Sequence, residues 1–357
     1  MNRKATKKIR VGDLYIGGDA PITIQSMTKT DTRDWKATID QIKELEEVGC
    51  DIVRIAVPDI EAAEAIKNIK KNTNIPIVAD IHFDYRLALE SIKNGVDKLR
   101  INPGNIGDRD RVKQVVNAAM ERNIPIRIGV NAGSISPKIL DQFNGVNAES
   151  MIESALEHIN ILEALNFEQI IISLKASNVL LTLEAYELIS KKTNYPLHIG
   201  ITEAGTKFSG TIKSSIGIGI LLARGIGDTI RVSLTDDPKE EVLVAKEILK
   251  SLNLYKGNAV ELISCPTCGR TQINLMDMAK ELEMRLNKLQ IKKTVKVAIM
   301  GCAVNGPGEA KEADIGIAGG KGRALIFKKG EIIRQVNEKN IIEELLEEIL
   351  KMQNQPQ

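Results

Sequence analysis

Three of the four cysteines stand in the C-terminal quarter, in Ser264-Cys265-Pro266-Thr267-Cys268-Gly269 and Gly301-Cys302-Ala303-Val304-Asn305-Gly306-Pro307-Gly308-Glu309. A structural zinc site closes with four Cys or His ligands, whereas iron–sulfur clusters take cysteine thiolates. Three thiolates without a fourth point to a cluster that leaves one iron for a weaker ligand, and so for chemistry. Cys50 falls between a helical stretch and the start of a strand; it reads as a small core residue and a poor fourth ligand. Glu309 follows a Gly-Pro-Gly turn that can bring its carboxylate back toward Cys302, which makes it the candidate fourth ligand. Cys-x-x-Cys by itself is shared with redox dithiols and half zinc ribbons. A cluster-bearing electron carrier or redox sensor, and a zinc-stabilised barrel enzyme, therefore stay open beside a cluster enzyme.

A second set of reactive side chains is spread over the first 235 residues: Arg54, Asp80, His82, Arg100, Asn102, Arg127, Asn131, Lys175, Glu203, Arg231 and Ser233. Each falls within the C-terminal part of a short apolar run or just past it, Arg54, Arg127 and Arg231 lying inside theirs. Those runs are 22–27, 52–57, 77–81, 98–101, 124–130, 169–174, 197–201 and 229–233, and stretches of helical periodicity separate them. Strand–helix alternation at this spacing predicts a parallel sheet, and eight units predict closure into a (β/α)8 TIM barrel rather than an open doubly wound sheet. A hairpin over 9–16, turning at Gly12-Asp13, is placed to plug one end.

Barrel active sites gather at the C-terminal ends of the strands. Five cations from five strands (Arg54, Arg100, Arg127, Lys175 and Arg231) are thus expected at one mouth, with Asp80 and Glu203 too few to neutralise them all. Such a cluster is costly unless an anion answers it, and arginine suits phosphate because its planar fork donates two bonds at once. The expected ligand is a small di- or polyphosphorylated molecule. His82 shares the Asp80 strand face and is placed to donate to phosphate or to a leaving oxygen. Glu203 is the candidate general acid or electrostatic stabiliser, the acid role requiring burial. His158 and His198 read as structural. The glycine-rich 319–322 joins strand to strand and reads as a hairpin, not a phosphate loop.

The pattern changes after residue 252. The expected organisation is a barrel over 1–252, a linker over 253–258, and a small α+β iron–sulfur domain over 259–357. Within the last, strands are expected at 260–264, 295–300 and 314–318, a hairpin over 324–336, and helices at 273–289 and 338–352.

The chain has 357 residues and a net charge of +2, which gives no global pull toward nucleic acid or membrane. The cysteine usage fits a reducing cytoplasm, the basic N-terminus lacks the apolar stretch of a signal peptide, and no run approaches a membrane span. A cytoplasmic protein is expected.

The motifs together resemble a known family, the 4-hydroxy-3-methylbut-2-enyl diphosphate synthases of the methylerythritol phosphate route to isoprenoids, in their compact two-domain bacterial form. Beyond the two cysteine motifs, the resemblance rests on Gln25-Ser26-Met27-Thr28, Val53-Arg54-Ile55-Ala56-Val57-Pro58, Ala79-Asp80-Ile81-His82-Phe83 and Leu99-Arg100-Ile101-Asn102-Pro103-Gly104-Asn105. It continues through Arg127-Ile128-Gly129-Val130-Asn131, Ser173-Leu174-Lys175, Gly200-Ile201-Thr202-Glu203-Ala204-Gly205 and Thr229-Ile230-Arg231-Val232-Ser233. It implies an oxidoreductase acting on CH or CH2 groups, with a [4Fe-4S] cluster on Cys265, Cys268, Cys302 and Glu309. The implied reaction is the two-electron reductive ring opening and dehydration of 2-C-methyl-D-erythritol 2,4-cyclodiphosphate, with flavodoxin or ferredoxin as electron donor. By the same resemblance Arg54, His82, Arg100, Arg127, Asn131, Lys175 and Ser233 hold the diphosphate, and Glu203 assists at the reacting carbons.

Barrel helices run back from the active-site face, so residue 252 is expected at the opposite face. A linker of about six residues spans at most ~20 Å, and the helix before it is itself about 20 Å long. A head-to-tail homodimer is therefore expected, each barrel capped by its partner's cluster domain.

Overall fold

The computed structural model describes residues 3–102, 104–286, 289, 291–302 and 312–354. Two units emerge, Met1–Tyr255 and Lys256–Gln357. The division falls at 255, because Leu254 and Tyr255 still pack on the barrel core.

The first unit opens with the hairpin β1 (Ile9–Val11) and β2 (Leu14–Ile16). Its Ile9, Val11 and Ile16 pack against Ile52, Val78 and Ile171 at the start of three barrel strands, which closes the lower end with apolar surface. Then follow β3 (Thr23–Met27), α1 (Trp35–Glu47), β4 (Ile52–Ala56), α2 (Ile60–Asn72), β5 (Ile77–Asp80), α3 (Tyr85–Lys93), β6 (Lys98–Ile101) and α4 (Arg109–Glu121). The second half continues with β7 (Ile126–Asn131), α5 (Pro137–Gln142), α6 (Ala148–Glu163), β8 (Ile170–Lys175), α7 (Val179–Lys192), β9 (His198–Ile199), α8 (Lys207–Ala223), β10 (Thr229–Ile230) and α9 (Pro238–Ser251). The parallel strands run in the order β8-β7-β6-β5-β4-β3-β10-β9, and a parallel bridge from Ile172 to Leu197 joins the two ends. The expected barrel is borne out. Short α5 escaped the periodicity because its six residues span less than two turns.

The helices form because each presents a largely apolar stripe to the strands. On α2 this is Ala62, Ala63, Ile66 and Ile69, each fully buried, and burying a side chain such as Ile66 contributes roughly 1.5–3 kcal/mol. Asp34, Asp59, Asp84, Asp108 and Asp237 cap helix N-termini on the face where the strands end. These carboxylates are engaged by backbone N–H groups and do not point into the barrel.

At the opposite face three other aspartates clip neighbouring strands together. Asp51, Asp97 and Asp228 each precede a strand and accept from the start of the neighbouring strand before it in the chain: Ile24 N at 2.7 Å, Ile77 N at 2.7 Å and Leu197 N at 2.9 Å. Asp228 also accepts from the Thr6 hydroxyl at 2.9 Å, tying down the N-terminal segment. Burial raises its pKa, so the clip costs desolvation that these donors offset. Asp228→Ala would strand a buried N–H and hydroxyl and is expected to destabilise the barrel by about 2–4 kcal/mol. Urea denaturation checks this, with Asp228→Asn losing less because one acceptor oxygen survives.

The second unit is a five-stranded sheet: β11 (Val260–Ser264), β12 (Val295–Met300), β13 (Ile315–Gly320), β14 (Arg323–Lys328) and β15 (Glu331–Asn337), in that order. The first three are parallel and the last two antiparallel. Helices α10 (Leu275–Leu286) and α11 (Ile341–Asn354) bury Leu282, Leu345 and Ile349 against Val297, Ile299, Ile317 and Ile326. Gly322 takes φ +66° in the β13–β14 turn, a conformation that glycine adopts without strain. No helix follows that turn, so it presents no helix N-terminus to a phosphate. Among the described residues no helix is long and apolar enough to cross a membrane.

Candidate active site

The barrel strands alternate inward and outward residues, and the inward ones carry an unusual load. Arg54 is last but two on β4, Asp80 ends β5, Arg100 lies on β6, Arg127 on β7, and Lys175 ends β8. Cross-strand pairing sets Asp80 beside Arg100, Arg100 beside Arg127, and Asn131 beside Lys175. Arg231 follows the last residue of β10.

Asp80 is the anchor. Its carboxylate takes Arg100 Nη1 at 3.1 Å, with Arg54 Nε at 3.7 Å and His82 Nε2 at 3.5 Å. Burial alone would raise this carboxyl, but Arg54, His82 and Arg100 hold it well below the usual carboxylate range. His82 lies just past the strand with its side chain 54 % exposed, open toward the mouth, and its Nε2 is 3.1 Å from Arg100 Nη1.

The other cations find far weaker partners. Arg54 turns Nη2 and that same Nε to the Met27 thioether, at 2.8 Å and 3.0 Å, a weak acceptor. Burial, then the neighbouring Arg231, lowers its pKa to about 10. Arg127 is 1 % exposed and donates to Ser173 Oγ at 2.8 Å, while its Nε and Nη2 are buried without a partner among the described residues. Lys175 is buried with Nζ 3.3 Å from His198 Nε2. Burial and the surrounding cations push both Arg127 and Lys175 well below their ordinary pKa. Glycines make the room: a Cβ on Gly129 would stand 2.5 Å from Arg100 Nε, and one on Gly200 would meet Lys175 Nζ at 3.2 Å and the Arg231 carbonyl at 2.3 Å.

Two charged residues escaped the strand-end reading. Lys98, fully buried, lies two residues before Arg100 and donates to Gln25 Oε1 at 3.2 Å. Period-2 alternation from Arg100 could have found it. Glu241, 2 % exposed, sits on α9, accepts from Ser26 Oγ at 3.0 Å and Leu234 N at 3.1 Å, and lies 3.7 Å from Arg231 Nη2. A rule confined to strand ends cannot reach a helix. Six inward cations thus face two buried carboxylates, Asp80 and Glu241.

Glu203 is placed differently from the expectation. It is exposed, not buried among the cations, and no ion pair to it occurs among the described residues. Its φ of +51° is a left-handed conformation that a glutamate adopts at a cost, and the chain holds it at the end of the β9 loop. Ser233 and Asn131 are half-buried on the same face of the barrel. Cys50 is a core residue, its thiol donating to Ile52 O at 3.2 Å and its pKa pushed up to about 12 by burial.

In the second unit Cys265 follows β11, bonded through its N–H to Ile299 O of β12 at 3.2 Å, and Cys302 lies two residues past β12. Both are therefore carried at the same ends of adjacent parallel strands. Thr267, at φ +64°, turns the short loop between Cys265 and Cys268, and its N–H points to Cys265 Sγ at 3.4 Å. Arg270, which the cysteine count passed over, hydrogen-bonds the Cys268 sulfur, lowering its pKa, and its charge interacts with the Cys265 and Cys302 sulfurs as well. The lowered pKa of Cys268 favours the thiolate that a soft metal needs. Glu309 lies outside the described residues, and among those described no group of three His, Cys, Asp or Glu side chains has the spacing of a metal site.

The sequence profile of the GcpE TIM-barrel domain matches residues 6–246, and that of the GcpE protein C-terminal domain matches residues 261–351. The chain belongs to the GcpE family. A relative from Ruminiclostridium cellulolyticum is 64 % identical over 352 residues, covering 99 % of each chain. One from Clostridium acetobutylicum is 62 % identical over 352 residues, covering 99 % of this chain and 100 % of its own. Both are named 4-hydroxy-3-methylbut-2-en-1-yl diphosphate synthase (flavodoxin), so the resemblance seen in the motifs holds and this GcpE chain is an enzyme. Among solved structures, dihydropteroate synthase from Yersinia pestis superposes with a TM-score of 0.50 at 11 % identity, over 70 % of this chain and 100 % of that one. At that identity the likeness concerns the barrel fold alone.

Proposed function

We propose that this GcpE chain opens and dehydrates 2-C-methyl-D-erythritol 2,4-cyclodiphosphate to 4-hydroxy-3-methylbut-2-enyl diphosphate in the cytoplasm, with two electrons delivered singly by flavodoxin or ferredoxin. The observation that carries this reading is the surplus of buried cations over carboxylates in the barrel. A diphosphate supplies the missing negative charge, and the unpartnered donors of Arg127 supply hydrogen bonds for it. Arg54, Arg100, Lys175 and Arg231 surround the same anion, with Asn131 and Ser233 adding neutral contacts. Asp80 keeps Arg54 and Arg100 from turning away.

His82 Nε2 faces the mouth beside Arg100 and is positioned to hold the diphosphate oxygen that leaves carbon when the ring opens. Glu203 stands free at the rim, where its carboxyl can attend the carbon losing oxygen as water. Cys265, Cys268, Cys302 and Glu309 would hold a [4Fe-4S] cluster, which when bound supplies the single-electron reductions that these side chains cannot. The homodimer with the partner's cluster domain over each mouth belongs to this reading. The outward side of α8 supports a second copy: Phe208, Ile212 and Ile216 follow one another at four-residue spacing and are 80 %, 44 % and 48 % exposed.

Anaerobic turnover tests the reading. The reconstituted chain with reduced flavodoxin is expected to convert the cyclic diphosphate. A protein carrying four irons that leaves it unchanged would be an electron carrier, and one carrying zinc alone would be an acid–base barrel enzyme. Mixing Glu203→Gln with Cys302→Ser subunits tests the dimer: two inactive homodimers should yield active mixtures, and heterodimers without activity would contradict a site shared between subunits.

A further inference from the structure

His198 has no part in the roles given above, yet it sits beneath the cations. It is fully buried on β9, and its Nε2 is 3.3 Å from Lys175 Nζ. An ammonium group donates hydrogen bonds and has no lone pair with which to accept one. Whenever Lys175 is charged, that contact requires Nε2 to be the acceptor and the ring proton to sit on Nδ1, which is buried without a partner among the described residues. The charged groups that act most strongly on the ring are cations: Lys175 of β8, Arg127 of β7, Lys98 of β6 and Arg54 of β4. Among the described residues no carboxylate is paired with the ring, so the acceptor lone pair is kept.

The frame around the pair is fixed. The Tyr186 hydroxyl donates to the His198 carbonyl at 2.6 Å and accepts from Leu174 N at 3.0 Å, which locks β9 to β8 one residue before Lys175. On the mouth side, Gly200 leaves the lysine its space, since a Cβ there would stand 3.2 Å from Nζ. A flexible lysine stem otherwise loses much rotamer entropy on binding, and an acceptor already in place reduces that loss.

We propose that His198 is a positioning residue, its Nε2 anchoring the Lys175 ammonium beneath the anion site so that the lysine meets a diphosphate in its bound orientation. This rests on the reading of Lys175 as a diphosphate ligand. The test uses the full-length chain, inorganic pyrophosphate as probe in calorimetry, and steady-state turnover of the cyclic diphosphate. His198→Leu, which has no acceptor, is expected to weaken pyrophosphate binding about tenfold and raise KM by a similar factor, with kcat changed less than about twofold. His198→Gln, whose amide oxygen can accept, should recover most of the loss.

In a Lys175→Met background the His198→Leu effect should shrink below about twofold, because the pair no longer exists. His198→Asn, too short to reach Nζ, is run through the same cycle so that the result does not hang on one variant's folding. Equal losses in both backgrounds, or unchanged binding by folded His198→Leu, would overturn the proposal. A wild-type chain that ignores pyrophosphate would instead overturn the diphosphate reading, and the anchoring role with it.

Discussion

Replacing Cys302 by serine is expected to lower turnover on the order of a thousandfold or more, with iron content falling in parallel. Cys302 is 5 % exposed and two residues past β12, a strand buried along most of its length. The substitution changes one atom, so the sheet built from Val297, Ile299 and Ile317 should fold unchanged. A hydroxyl is a hard, reluctantly ionised donor and does not replace a soft thiolate. Far-UV circular dichroism and barrel stability should match the parent, which separates loss of a ligand from loss of fold. A variant with full iron and more than about a tenth of parental turnover would remove Cys302 from the ligand set.

Arg127→Met is expected to move activity and stability in opposite directions. Two of the arginine's nitrogens are buried without partners, and no carboxylate pairs with it among the described residues. If they bind diphosphate, their loss costs about a hundredfold in kcat/KM, as expected for hydrogen bonds to a charged group. The empty barrel, by contrast, sheds an uncompensated buried charge. Replacing such a group by an apolar one of similar volume is often stabilising by about 1–4 kcal/mol. At about 2–4 °C per kcal/mol for a unit of this size, the melting temperature of the unliganded protein should rise by several degrees. A fall in both activity and melting temperature would make Arg127 a member of a structural network with Ser173 and Tyr186.

The sequence made the barrel legible because β-runs such as 77–81 and 98–101 are wholly apolar except where a charge faces inward. Asp80, Arg100 and Arg127 were visible for that reason. Lys98 opens its strand and so fell outside a rule that looked only at strand ends. Glu241 was hidden for a different cause: its helix brings it to Ser26 across more than two hundred residues of chain, a contact that periodicity cannot encode, and the same helix sets it beside Arg231. Glu203 was placed by its motif but not in its environment, since the left-handed turn that lifts it into solvent is a backbone choice. His198 read as a core histidine and is one; its neighbour Lys175 gives that burial a further consequence.

The proposed function pairs a cationic barrel with a three-thiolate centre. It is tested most directly by Mössbauer and electron paramagnetic resonance spectra of the anaerobically reconstituted protein, with and without the cyclic diphosphate. The prediction is a [4Fe-4S] signature with one iron distinct from the rest, whose signal alone changes when the parent protein is saturated with substrate and changes far less in Arg127→Met. Four equivalent irons, or a spectrum indifferent to saturating substrate in the parent, would contradict it.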